Sequence, residues 1–344
     1  MNAPVRIDLK DVSSFPSRRV EAWKYTDLRR YLRETPAASP PTPIEPGGPF
    51  AALQGDELTF ANGLDANGQR GGGFTFSGDD AVLRLRFVTD AQATGHQVFV
   101  VVGAMEDTNV LLLESYEGRG SAYVSNVELG IEVEAGASVT RVVLVDDVED
   151  AISISTAKVG LQREGRFNQI VVTSGAKLQR FETRVRHRGL GAEARLDGIY
   201  VLSDNRHTDL TSVVNHLGPN GVTSQLTKGV VRDTARGVFQ GKIVVERGAD
   251  GTDARMGHHA LILGERAEVD AKPELEIYAD DVQCAHGNTV GNLDESALFY
   301  MQQRGIPADE ARALLTQAFL IEVVDRIEHE GAREVVREWL EQRL

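Results

Sequence analysis

From about residue 80 to residue 290 the sequence breaks into short β-rich runs with no convincing helix between them, which removes most architectures from consideration for the middle of the chain. The clearest are Val98-Phe-Val-Val-Val102, Val110-Leu-Leu-Leu113, Val139-Thr-Arg-Val-Val-Leu-Val145, Ile152-Ser-Ile154, Gln169-Ile-Val-Val-Thr173 and Ile243-Val-Val245. Gly-Ala pairs recur at Gly136-Ala137, Gly175-Ala176, Gly191-Ala192 and Gly248-Ala249, separated by 39, 16 and 57 residues. Those steps are compatible with a rung near twenty residues, the shortest fitting loosely. A β-solenoid explains the pattern best: each rung turns at small residues, stacks on its neighbour's backbone and hides β-branched side chains inside. A β-sandwich predicts the same short strands but has no need of recurring Gly-Ala turns.

Length and charge narrow the function. At 344 residues the chain exceeds the roughly 250 to 300 at which one compact core stops growing, so several units or an elongated solenoid are expected. Its 37 basic residues face 51 acidic ones, a formal charge of −14, which leaves no basic surplus to neutralise nucleic-acid phosphates or to hold an anionic membrane. The opening MNAPVRIDLKD has no apolar stretch of signal-peptide type, and no run approaches the roughly 18 residues of a membrane span. The expectation is a cytoplasmic protein. A single cysteine, Cys284, excludes an internal disulfide and an all-cysteine metal site made by this chain alone.

Proline marks the boundary before the β region: six of eleven prolines fall within residues 36–49, an extended linker composition unable to pack. Ahead of it, residues 1–35 read as a helical region. An amphipathic helix is expected from an N-cap at Ser17, with Val20, Trp23, Leu28, Tyr31 and Leu32 on one broad apolar face. Residues 50–290 form the β core and 291–344 a C-terminal helical region. There Asp294 caps a helix through Gln303, Arg304-Gly305 ends it, and Pro307 opens another to about His329. That second helix is apolar around most of its girth. Leu314, Leu315, Phe319 and Val323 are candidates for a protein-docking face, and burial by Val335, Val336, Trp339 and Leu340 of the final helix is the competing account.

Chemistry concentrates in Pro273-Glu-Leu-Glu-Ile-Tyr-Ala-Asp-Asp-Val-Gln-Cys-Ala-His-Gly287. Extended throughout, this run places Leu275, Ile277 and Ala279 on one face and Val282, Cys284 and His286 on the other, making thiol and imidazole neighbours on the non-core side. Cys284 and His286 then form a half-site for a soft metal such as iron, zinc or copper, which two ligands do not close. The alternative is an inert cysteine beside a surface histidine. Of His258-His259, at most one faces a given site. His207-Thr-Asp209, Thr211-Ser212 and His216 contain the residue types of a hydrolytic triad without a Gly-x-Ser-x-Gly elbow. No Gly-x-x-x-x-Gly-Lys-Ser/Thr loop is present, so ATP hydrolysis by this chain is not expected.

Several longer runs carry a family resemblance: Arg18-Arg-Val-Glu-Ala-Trp-Lys-Tyr-Thr-Asp-Leu28, Lys228-Gly-Val-Val231, Gly237-Val-Phe-Gln-Gly-Lys-Ile243, Lys272 through Gly291, and Leu298-Phe-Tyr-Met-Gln-Gln-Arg-Gly-Ile306. In this order they resemble the SufB/SufD family of iron–sulfur cluster assembly scaffolds, with residues about 50 to 200 similar in pattern only. Gly287, where SufB-type chains tend to carry Glu, places the resemblance on the SufD side. It implies a mainly β fold, a right-handed parallel β-helix between helical ends, and a scaffold subunit rather than an enzyme. It also implies a complex with a SufB-like paralogue and a SufC-like ATPase, the latter docked on the C-terminal helices. A homodimer is expected when the paralogue is absent. His286 stands where the family places a histidine needed for assembly, and Cys284 matches a family cysteine. The cofactor implied is a transient iron–sulfur cluster shared with the SufB-like chain, with none tightly bound to the isolated one. Two other classes share part of the pattern: a β-helix polysaccharide enzyme, for which the 21 aromatics are few, and a small metalloenzyme using Cys284 and His286.

Overall fold

The computed structural model describes residues 5–78 and 80–344. Strands dominate it: β1 (Ala37–Ala38), β2 (Asp56–Ala61), β3 (Gly71–Phe76), β4 (Ala81–Thr89), β5 (Thr94–Ala104) and β6 (Asn109–Gly118). There follow β7 (Val124–Val133), β8 (Ser138–Asp146), β9 (Ile152–Leu161), β10 (Arg166–Thr173), β11 (Leu178–His187) and β12 (Glu193–Leu202). The last six are β13 (His207–His216), β14 (Val222–Val231), β15 (Arg236–Val245), β16 (Thr252–Ile262), β17 (Glu268–Ile277) and β18 (Val282–Gly291). Odd strands form one parallel sheet and even strands another, each strand from β2 onward pairing with the one two ahead. The result is a right-handed parallel β-helix whose rung contains one strand of each sheet.

Register sets the rung length. Ser138 pairs with Arg166, Arg166 with Glu193 and Glu193 with Val222, so the repeat is close to 28 residues and not the twenty read from the Gly-Ala pairs. Two corners per rung explain the misreading: Gly175 turns into the odd sheet, whereas Gly136 and Gly191 turn into the even one two rungs apart. At the latter corner a left-handed residue recurs on six successive rungs, at Asp107, Gly136, Glu164, Gly191, Asn220 and Gly251. A Cβ on Gly136 would sit 2.1 Å from the Asp107 carboxylate, so glycine there accommodates the side chain of the rung above as well as its own positive φ.

Alternation along each strand fills the space between the sheets with Val, Leu, Ile and Phe. One ion pair lies in that interior. Arg141 donates from Nε and Nη2 to both Glu114 oxygens at 2.8 Å and from Nη1 to Gln169 Oε1 at 2.7 Å, and both charged side chains are fully buried. Glu114→Ala strands that guanidinium without water, so a loss of about 3–5 kcal/mol in urea unfolding is expected. Replacing both residues by apolar ones of similar volume is expected to cost far less.

Each outer face has its own cover. The odd sheet is roofed by the N-terminal segment, which buries Ile7, Leu9, Phe15, Trp23 and Leu28 against Val124, Ile152, Ile154 and Leu178. This segment is not the single amphipathic helix expected: Glu21–Trp23 is one 3-10 turn, and α1 (Leu28–Tyr31) is one α-turn capped by Asp27 rather than by Ser17. Two contacts to adjacent residues of the odd sheet hold these turns in place. Trp23 stacks on the Arg180 guanidinium at 4.4 Å, and Thr26 donates to Asp209, which the same Arg180 neutralises. Val20 and Tyr31 consequently face solvent. The proline-rich segment is extended as its composition dictates, yet it packs. β1 pairs with β5, buried Ser39 meets His96 Nδ1 at 3.2 Å, and the Glu45 carbonyl accepts from Arg86 Nη1 at 3.0 Å.

The even sheet is covered by α3 (Ala308–Val324) and α4 (Glu330–Glu341), and α2 (Glu295–Gln303) packs against α3. Asp294 caps α2 through the amides of Ser296 and Ala297, and Gly305 follows its end in the left-handed conformation. α3 stops at Val324, short of the expected His329, because His329 is needed as the cap of α4, where its ring accepts from the Ala332 amide. Lys228 ties the layers, reaching the Phe319 carbonyl at 2.7 Å and the Glu322 carboxylate from the outer face of β14. Among the described residues no helix is long and apolar enough to cross a membrane.

Candidate functional site

The solenoid ends without a cap. Among the described residues β17 pairs only with β15 and β18 only with β16, so the last rung presents free edges of both sheets. The chain turns between these strands at residues 278–281, and that corner shifts the alternation. Leu275 and Ile277 face inward on β17, and after the corner Val282, Cys284 and His286 also face inward, in register with Thr252, buried Ala254 and buried Met256. The thiol and the imidazole therefore share one face, as period two requires, but it is the core-facing row and not the non-core side. They reach solvent because no further rung lies beneath them.

The two differ in surroundings. Cys284 is half-buried against the interior cluster beside Val282, Leu275 and Ala279. Burial, with a smaller contribution from Asp253, pushes its thiol pKa up against the lowering hydrogen bond of the Ala254 backbone. The shift favours the protonated thiol, which is a weaker nucleophile and metal ligand than the thiolate. His286 is exposed, and no described residue holds its ring. Inner-row positions two apart are separated by about 7 Å along the strand, within reach of one metal centre from both side chains. Among the described residues no group of three or more His, Cys, Asp or Glu is placed to hold a metal, so no third such residue joins Cys284 and His286 there.

The remaining histidines are structural. His258 points inward and is fully buried, stacked on Phe239 at 4.7 Å, with its pKa lowered to about 4 by burial. His259 points outward to Thr289 Oγ1 at 2.6 Å, so the adjacent pair does divide between faces. His207 and Asp209 lie under the N-terminal segment, each against Thr26. Ser212 donates inside the solenoid to Gln225, on the other side of the strand, which rules out a triad with them. His216 packs on His187 with ring centroids 4.1 Å apart and the rings tilted by 32°, both fully buried. A cleft of about 740 Å³ lies elsewhere, between the C-terminal helices and the turns that carry Arg232 and Arg266.

The docking residues expected on α3 are unequally available. Leu314 is exposed and Leu315 half-buried. Phe319 packs on Lys228, and Val323 is wholly buried against the even sheet and α4, which takes it out of any docking face. The over-wide apolar girth is explained mainly by these two internal contacts. Sequence reasoning missed the exposed aromatics Phe299 and Tyr300 of α2, whose neighbours in sequence gave no amphipathic signal.

Comparison with known proteins shows the family. Residues 87–319 match the family model of the SUF system FeS cluster assembly SufBD core domain, more than half of the chain. The chain belongs to the SufB/SufD family. It is similar to an iron–sulfur cluster assembly SufBD family protein of Synechocystis, at 32% identity over 71% of this chain and 56% of that one. It is also similar to the iron–sulfur cluster assembly protein SufD of Escherichia coli, at 36% over 52% of this chain and 42% of the relative. A third relative, SufD of Bacillus subtilis, is 27% identical over 75% of this chain and 60% of its own length. The chain thus spans about half the length of the curated relatives it matches.

Proposed function

We propose that this SufB/SufD-family chain is the SufD-type subunit of an iron–sulfur cluster assembly complex, a scaffold rather than an enzyme. The uncapped last rung carries the reading. Free edges of parallel strands are templates for pairing with another chain, and here the inner row between them holds a thiol and an exposed imidazole that need further ligands. A SufB-like paralogue meets that end, adds the missing thiolate, and the two chains share a transient cluster at their junction. Thiolate and imidazole suit iron, and sulfide is held by the metal. A SufC-like ATPase docks on the C-terminal helices, and its closure moves the junction to admit iron and sulfide. The outer faces along which a sugar chain would lie are occupied by the N-terminal segment and the C-terminal helices, which disfavours a polysaccharide enzyme.

Co-expression with a SufB-like and a SufC-like protein, followed by native mass measurement and anaerobic iron and sulfide assay, tests the whole reading. A stable three-component complex that acquires iron and sulfide together is expected, while the isolated chain, monomer or homodimer, holds neither in stoichiometric amount. Retention of a full metal equivalent by the isolated chain would falsify the shared-site reading. For the ATPase contact, Leu314→Asp on the exposed side of α3 should weaken copurification of the SufC-like protein at least tenfold and leave the SufB-like contact unchanged.

A further inference from the structure

A buried polar relay runs down the solenoid interior and ends beside the half-site. Tyr200 and His258 are both fully buried, and Tyr200 Oη lies 2.9 Å from His258 Nε2. His258 Nδ1 lies 2.7 Å from Oδ1 of Asn288, the inner-row residue of β18 next after His286. Space for this arrangement is built in: a Cβ on Gly229 would fall 1.9 Å from the Tyr200 ring, and one on Gly237 would fall 2.5 Å from it. Phe239 lies parallel to the His258 ring, within 5°.

The polarity of the relay follows from its ends. Asn288 Oδ1 accepts, so His258 carries its proton on Nδ1, and its bare Nε2 accepts from the Tyr200 hydroxyl. With Oδ1 fixed, the Asn288 amide nitrogen has no described partner and is left for the open end, where Cys284 and His286 share its face. An amide N–H at that position is a donor suited to anionic sulfur. Hydrogen bonds to sulfur are one of the protein's means of stabilising and tuning such a centre.

We propose that Asn288 is a third residue of the nascent-cluster surface, donating a hydrogen bond to sulfur bound beside His286, and that His258 and Tyr200 are positioning residues acting through it. This rests on the proposed cluster site at the open end. The test uses the co-expressed complex loaded anaerobically with ferrous iron and sulfide. Asn288→Asp is nearly isosteric, still accepts from His258, and presents an oxygen where the N–H stood. It should assemble with unchanged stoichiometry and thermal midpoint, lose roughly tenfold in iron and sulfide retained, and shift the sulfur-to-iron charge-transfer absorption. His258→Phe keeps the stacking on Phe239 but releases the carboxamide, and should lose retention likewise, with partial recovery in His258→Gln.

Wild-type content and absorption in Asn288→Asp overturn the proposal, as does failure of that variant to assemble, which would make Asn288 a packing residue of the junction. His286→Ala separates the two levels. If it loses the cluster while Asn288→Asp does not, this inference alone falls. If His286→Ala keeps the cluster, the site itself is misplaced.

Discussion

His286→Ala should fold, assemble with both partners and form almost no cluster, with iron and sulfide in the purified complex down by at least tenfold. The expectation follows from where the ring stands. It is exposed on the last rung, packs on nothing that holds the fold, and no described residue engages it, so its removal leaves no cavity and no stranded buried group. Truncation therefore subtracts a metal ligand and little else, and the thermal midpoint should move by no more than a degree or two. Cys284→Ser should behave differently. Its sulfur packs on the interior cluster and its thiol resists ionisation, so the substitution exchanges a half-buried weak donor for a hydroxyl and loses some stability as well as a potential thiolate. Unchanged iron and sulfide in His286→Ala, in a complex of correct mass, sinks the assignment of the open end as the assembly site.

Much of this architecture is visible in the sequence, and the misreadings share one cause. The strands, the solenoid, the capping of α2 by Asp294 and the pairing of Cys284 with His286 on one face all depend on local pattern, which two or three residues suffice to define. What local pattern does not contain is the position of corners. The run from Pro273 to Gly287 reads as one strand because Tyr278-Ala-Asp-Asp281 offers no glycine or proline to mark the turn, and missing it reverses the side on which Cys284 lies. The rung length fails similarly: two corners alternate along the chain, so distances between Gly-Ala pairs mix half-rungs with whole ones. Tertiary anchors account for the rest. Trp23 and Thr26 are held by the adjacent Arg180 and Asp209 of the odd sheet, contacts that helix propensity does not contain, and Val323 is claimed by α4 and the even sheet before any partner can use it. Asn288, the relay's end, carries no sequence signal, because its role exists only once β18 is stacked beneath His258.

The same burial that makes the other histidines structural makes the fold acid-sensitive, and a steep loss of stability is expected between pH 6.5 and about 4. His96, His207, His216 and His258 have pKa values lowered to about 4 by burial, and His187 is lowered by burial and by its neighbour His216. In the unfolded chain each titrates near 6.5. Below that pH the unfolded state takes up protons that the folded state refuses, so stability is complete above 6.5 and falls as pH drops toward the folded values. Each such group contributes a slope on the order of 1 kcal/mol per pH unit. Asp197 works in the opposite sense. Burial outweighs the nearby Arg326 and Arg195 and raises it to about 7, so the folded state binds its proton first and gains on acidification. Asp147, also raised by burial, acts in the same sense, so two of the five histidines are offset at most, and the net slope of about three groups is still large beside a total stability on the order of 5–15 kcal/mol. Urea midpoints measured at half-unit steps from pH 7.5 to 4.5 should be flat at first and then fall steeply from about 6. His187→Gln and His216→Gln, which remove two of the refused protons, should flatten that fall even where they lower stability at neutral pH. A midpoint unchanged down to pH 5 would mean that these rings accept protons in place, against the buried geometry of the His187–His216 pair and of His258 between Phe239 and Tyr200.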